Sequence, residues 1–166
     1  MAEKELVALL RDAELFLATA ESLTAGFLGA RIAETAGSSD VYLGGVIAYQ
    51  NFVKQELLGV SAALLANQGA VDAEVAAQMA LGVRERFAKI NHIPLERVVG
   101  ISTTGVAGPG ESEGKAAGTV FIGISSRVGD AVYAHNFEGD REQIRLQTVN
   151  AALQSLGEQL QLSDGY

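Results

Sequence analysis

Cysteine and tryptophan are missing from all 166 residues, and only two histidines, two prolines and two methionines occur. The lack of cysteine excludes disulfides, thiolate nucleophiles and cysteine-ligated metals. His92 and His135 have no suitable partners nearby in sequence, so a histidine metal site is not expected. Glu111 and Glu113 can accept a divalent ion, but nothing in the pattern requires one. Positive charge is also scarce: 12 lysines and arginines stand against 20 acids, a net charge of −8. That balance lacks the basic footprint of a general nucleic-acid binder. It leaves room for a small anion, because a few arginines and a helix N-terminus make a local positive site on an acidic protein. No apolar run approaches the ~18 residues of a membrane span. The start, Met1-Ala-Glu-Lys-Glu-Leu6, does not resemble a signal peptide. No membrane partner and a cytoplasmic location are therefore expected. Chemistry in this chain must be built from hydroxyls, amines, carboxylates and backbone dipoles.

What is present reads as a globular unit: 48% of residues are hydrophobic and 19% charged, which excludes disorder. Residues 1–166 are expected to form one domain, long enough to bury roughly 70% of the unfolded surface. Leu6, Leu9, Leu10 and Ala13 fall at helical spacing over 3–13, and Leu15 to Ala20 is a short apolar run suited to a buried strand. A helix is predicted over 24–36, broken by Gly37-Ser38-Ser39-Asp40, and a strand over 41–49. Short helices at 51–58 and 61–67 flank Gly59. Asp72 is placed to cap a helix over 73–88. A strand over 97–102, a loop over 103–117, strands over 118–126 and 131–137, and a long amphipathic helix over 140–162 complete the chain. This alternation predicts the α/β class: a three-layer α/β/α domain with a mixed sheet and helices on both faces.

Four constellations carry potential chemistry. Ser22 sits between a strand and a helix. It serves there either as an N-cap or as a hydroxyl beside free helix amides able to hold an oxyanion. Lys54 is either a solvated lysine or, with Asn51 on the same helix face and Tyr49 ending the preceding strand, part of a polar pocket. As a base, Lys54 must be enclosed, so that its pKa falls from an ordinary ~10.4. The loop Thr103-Thr104-Gly105-Val-Ala-Gly108-Pro109-Gly110 follows a strand and precedes another. Dinucleotide and P-loop readings therefore fail, leaving an ordinary loop or a backbone wall against a small ligand. Near the last helix, Asp140 offers a cap, and Arg141 and Arg145 share a face. They are surface arginines or a grip for an anion.

Taken in order, several segments resemble the CinA C-terminal domain family, which includes the stand-alone nicotinamide-nucleotide amidase. They are T-A-E-S-x-T-x-G at 19–26, G-S-S at 37–39, Y-x-N-x-x-K at 49–54, L-L-G-V at 57–60, G-A-V at 69–71, T-G-V-A-G-P-G at 104–110, G-T-V at 118–120 and F-x-G-D-R-x-x-I-R at 137–145. The resemblance implies hydrolysis of the carboxamide of nicotinamide mononucleotide to nicotinic acid mononucleotide and ammonia, without metal or other cofactor. It implies Ser22 as nucleophile, Lys54 as general base and Tyr49 as an aid to proton transfer or orientation. Thr24, Asn51, Ser38, Ser39, Thr104, Gly105, Gly108 and Arg141 would line the pocket. It also implies a small nucleotide as ligand, a homo-oligomer, and a chain that is the stand-alone form or an excised domain. Two departures stand out: Leu23 and Ala25-Gly26 replace the family's frequent cysteine and paired glycines, and Gly110 to Ala116 differs from the common G-G-S-E-E-K-P. A nucleotide-binding module without turnover, and an amidase for another small amide, are the competing expectations.

Overall fold

Strands and helices alternate through the first half of the chain, and the direction of the apolar side chains sets the layers. The computed structural model describes residues 3–163. Helix α1 (Glu3–Asp12), strand β1 (Phe16–Glu21), helix α2 (Phe27–Ala33) and strand β2 (Tyr42–Ile47) come first. Three helices follow, α3 (Asn51–Leu58), α4 (Ala62–Gln68) and α5 (Ala73–Asn91). Strands β3 (Val98–Gly105), β4 (Thr119–Ser126) and β5 (Gly129–Asn136) lead to α6 (Arg141–Ser163). The strand order is β2-β1-β3-β4-β5. β1 runs parallel to β2 and β3, whereas β4 runs antiparallel to its two neighbours, β3 and β5.

The sheet is therefore mixed, and its central strands are apolar on both faces. On one face Leu17, Ile101 and Ile122 pack with Leu10 of α1, Leu28 of α2 and Leu156 of α6. On the other, Ala18 and Ala20 pack with Leu58 of α3, Leu65 of α4 and Met79 and Val83 of α5. Alternation of side chains along each strand divides the core in two and produces the α/β/α layering. The α5 layer lies very close to the sheet. A methyl group on Gly100 would run into the Ala80 carbonyl, and one on Gly82 into the Leu58 carbonyl.

Local chemistry shifts several boundaries. α2 starts at Phe27 rather than 24, because Ala25 (φ 49°) and Gly26 (φ 95°) are left-handed. β2 ends at Ile47, two residues short of the expected limit, while β3 continues to Gly105. Pairing with β4 extends as far as Gly105↔Val120, which draws Thr103 and Thr104 out of the expected loop and into the sheet. The break at 38–40 is a 3-10 turn, and a second such turn covers 95–97. Asp72 caps α5 as expected, accepting from the Glu74 and Val75 amides. Asp140 and Gln143 exchange reciprocal bonds at the start of α6, a capping box.

The carboxyl ends of β1, β2 and β3 share one edge of the sheet. The chain leaves β1 towards β2 on one side and later returns to β3 on the other. That reversal makes the edge above β1 a crevice, the usual ligand position in open α/β sheets.

Candidate active site

Ser22 is the first residue past β1. Its amide donates to the Thr103 carbonyl at 2.9 Å, so the sheet's hydrogen bonding fixes it beyond the last strand residue. It does not cap α2, whose N-cap is Gly26 with no side-chain bond. Glu21 does that work. One carboxylate oxygen accepts from the Thr24 hydroxyl (2.7 Å) and the Gly26 and Leu28 amides (both 3.0 Å), and the other from the Gly29 amide (2.8 Å). A buried carboxylate thus satisfies the open amides of α2 and favours its positive end. The Ser22 hydroxyl is left free for a different partner.

That partner is Lys54, on the second turn of α3. It is only 1% exposed. Its Nζ donates to the Ala48 carbonyl at 2.7 Å, to Ser22 Oγ at 3.0 Å and to the Tyr49 carbonyl at 3.3 Å. The ammonium has three donors, and each has an acceptor. None of these acceptors is a carboxylate. Burial accordingly pushes its pKa from 10.5 down to about 8, against the opposing pull of Glu113. Loss of one proton changes the geometry little. The neutral amine keeps two N–H bonds to the two carbonyls and turns its lone pair to the Ser22 hydroxyl, which becomes the donor. This is the arrangement of a nucleophile with its base.

Above the pair opens a cavity of about 440 Å³, within the range of small-molecule sites. Ser22, Tyr49, Asn51, Lys54, Thr104, Gly105, Gly108 and Arg141 all line it. Thr104 is held by a bond from its hydroxyl to the Ala70 carbonyl at 2.7 Å. The Tyr49 phenol does not bond to Ser22 or Lys54; its hydroxyl meets Arg141 Nη2 at 2.9 Å. Arg141 also donates to the Gly108 carbonyl at 2.6 Å, so it joins the glycine loop to the mouth of the cavity.

Three expected pocket residues lie elsewhere. Thr24 is completely buried, its hydroxyl shared between Glu21 and Thr103, and it braces the turn rather than facing the cavity. Ser38 and Ser39 precede β2, whose first residue pairs with Leu17 near the start of β1. They sit at the opposite edge of the sheet, about 17 Å of strand away from Ser22.

Other contributors were not legible as such. Glu113 and Lys115 fasten the long loop to the turn before α5. Glu113 Oε2 accepts from the Ala70 (2.8 Å) and Val71 (3.2 Å) amides, while Lys115 Nζ donates to the Gln68 and Val71 carbonyls. Gly110 to Glu113 therefore become a cavity wall. Arg145, treated in sequence as Arg141's twin, points to the Leu23 and Thr24 carbonyls instead. Glu21 lies five to eight residues before the amides it holds, outside any capping-box spacing, although it stands inside the T-A-E-S motif. His135 stacks on Phe137 with ring centres 4.9 Å apart, and His92 closes α5 in a left-handed conformation.

Comparison with known proteins supplies the family. The family model for the CinA C-terminal domain matches residues 1–160. The chain belongs to the CinA C-terminal domain family. It is 41% identical over 153 residues to a CinA-like protein of Geobacter sulfurreducens, which covers 92% of the chain and 35% of that protein. It is 43% identical over 145 residues to a CinA-like protein of Geotalea daltonii, covering 87% and 33%. The chain thus spans about a third of the length of these curated relatives. Among solved structures, a CinA superfamily protein from Enterobacter cloacae superposes with a TM-score of 0.85 at 31% identity, covering 95% of this chain and 89% of that one. CinA-family membership fits the mixed five-stranded sheet and the crevice above β1.

Proposed function

We propose that this chain is a nicotinamide mononucleotide amidohydrolase working through Ser22 and Lys54. One observation carries the reading: a fully buried lysine, its N–H groups taken by two carbonyls, lies 3.0 Å from a serine hydroxyl at the floor of a ligand-sized cavity. Family membership adds support, since the family resemblance implies this reaction.

In the proposed mechanism neutral Lys54 takes the Ser22 proton as Oγ attacks the carboxamide carbon. The carbonyl π pair moves to oxygen. Amides with no acceptor among the described residues are at hand for that charge, at Leu23 after the nucleophile and at Ala107 and Gly108 in the glycine loop, all three residues lining the cavity. Protonated Lys54 returns its proton to the departing nitrogen, ammonia leaves, and water hydrolyses the acyl-enzyme by the reverse proton path. Arg141, exposed at the mouth and already aligned by Tyr49 and Gly108, is the cation available to a nucleotide phosphate. Tyr49 then acts through Arg141 and through its carbonyl on Lys54. The ligand is a small nucleotide, neither nucleic acid nor membrane being involved, and the protein works as a homo-oligomer in the cytoplasm. No described helix is long and apolar enough to cross a membrane.

The test is ammonia release from nicotinamide mononucleotide in the presence of EDTA. Wild type is expected to turn over, and Ser22→Ala and Lys54→Ala each to lose activity by at least ~10³-fold. Full activity in Ser22→Ala sinks the proposal. A second reading, hydrolysis of a different small amide, is favoured by the cavity wall at Gly110 to Glu113, where the sequence departs from the family pattern. A panel of small amides separates the two.

A further inference from the structure

We propose that the Thr104 hydroxyl reads the substrate as an amide, accepting an N–H bond from the nitrogen that Ser22 displaces. The inference rests on the Ser22–Lys54 acyl-transfer reading above.

Strand register places Thr104 beside the nucleophile. Glu21, the last residue of β1, pairs with Thr103 of β3. The Ser22 amide continues that ladder onto the Thr103 carbonyl. Ser22 and Thr104 are thus the next residues along two parallel neighbours, about 5 Å apart and directed to the same face. Both line the catalytic cavity. Thr104 is only 1% exposed, so its oxygen meets the fold and the contents of that cavity and little else.

The hydroxyl proton is already engaged. A carbonyl can only accept, so the 2.7 Å bond to Ala70 fixes the Thr104 hydrogen on that oxygen. Glu113 holds the amide of Ala70 at 2.8 Å and so keeps the turn in place. Among the described residues no donor reaches the Thr104 oxygen, which therefore offers the cavity lone pairs alone. Such a group accepts from a carboxamide –NH2 and finds no donor on an ester or a carboxylate. It also suits the breakdown step. After Oγ has bonded to the carboxamide carbon, Lys54 delivers the serine proton to the nitrogen. The C–N bond breaks with its electron pair going to nitrogen, and ammonia leaves. A bond from one N–H to Thr104 orients the nitrogen through this step, and it strengthens as the nitrogen gains positive charge.

The test uses the full chain and two substrates that differ at the leaving atom, nicotinamide mononucleotide and the methyl ester of nicotinic acid mononucleotide. The ester reacts at the same carbon: the Oγ–C bond forms, the C–O bond breaks, and methanol leaves with the proton from Lys54. It has no N–H to give. Ser22→Ala supplies the uncatalysed rate for both. Thr104→Val, which keeps the shape and removes the hydroxyl, is expected to lower kcat/KM for the amide roughly 10- to 100-fold and to leave the ester within about threefold of wild type. Thr104→Ser, which keeps the hydroxyl, is expected to retain most of the amide rate. Thr104→Ala is read in place of the valine form if that form fails to fold. Equal losses on amide and ester, or an unchanged amide rate, overturn the proposal and leave Thr104 a brace for the turn at Ala70. Hydrolysis of neither substrate by wild type overturns the acyl-transfer reading itself, and hydrolysis of the ester alone overturns the amidase reading; this inference falls with either.

Discussion

Lys54 is where function and stability oppose each other most directly. Its pKa of about 8 leaves roughly a tenth of the amine neutral at pH 7. The base form exists above that pKa, so kcat/KM should rise with pH through about 8 and then level. Glu113 pulls that pKa upward. Glu113→Gln is therefore expected to move the limb to lower pH, and a pH–rate profile of the two proteins checks it; an unmoved limb would separate Glu113 from the base. The same burial costs stability. Because the folded pKa lies below the unfolded one, the unfolded chain holds more protons between about pH 8 and 10.5, and stability rises with pH through that window. Below it the cost of the buried charge is fully present. Lys54→Met, similar in length and uncharged, is expected to abolish activity yet stabilise the fold at pH 7 by about 1–2 kcal/mol, net of the donors lost to Ala48 and Tyr49. That is a few degrees in Tm for a chain of this size, and the gain should shrink above pH 8.

At the scale of elements, the α5 helix and its one glycine, Gly82, decide how tightly the layers close. Helix propensity alone favours Gly82→Ala by about 1 kcal/mol. Contact says the opposite, since the new methyl would meet the Leu58 carbonyl of α3, a backbone atom with no side-chain freedom to yield. We expect Gly82→Ala to destabilise by at least ~2 kcal/mol, read as a lower urea midpoint with an unchanged slope. A stabilised variant would show that the α3–α5 contact is slack. Displacing α3 also moves Lys54 from Ser22, so activity should fall by more than stability alone explains.

Across the whole molecule, a net charge of −8 means mutual repulsion at neutral pH. The three described salt bridges, Arg11–Asp12, Arg31–Glu34 and Arg97–Glu14, are on the surface; such pairs contribute little. Salt should therefore relieve more repulsion than it costs in pairing. Raising NaCl from ~0.01 to ~0.5 M is expected to increase Tm by a few degrees, and a falling Tm in the same titration would mean that attractive pairs dominate.

The sequence by itself determined the class and most of the elements. Strict apolar runs such as Leu15 to Ala20 and helical spacing such as Leu6, Leu9 and Leu10 are local signals, set by side-chain period and the need to bury one face or two. It also marked Ser22, Tyr49, Lys54 and Arg141 through ordered motifs, and the fold gathers these on one crevice. What only the tertiary structure decided depends on pairs distant in the chain. Thr103 and Thr104 join β3 because β4 pairs with them. Thr24 turns inward because Glu21 and Thr103 claim its hydroxyl. Ser38 and Ser39 fall at the wrong end of β2 because parallel pairing sends that end of the strand away from Ser22. Arg141 and Arg145 look alike in sequence, yet they part by one turn of helix, one to the cavity and one to the nucleophile's backbone. Above all, the lowered pKa of Lys54 is a property of enclosure. No motif encodes it, because desolvation comes from every layer that closes over the amine at once.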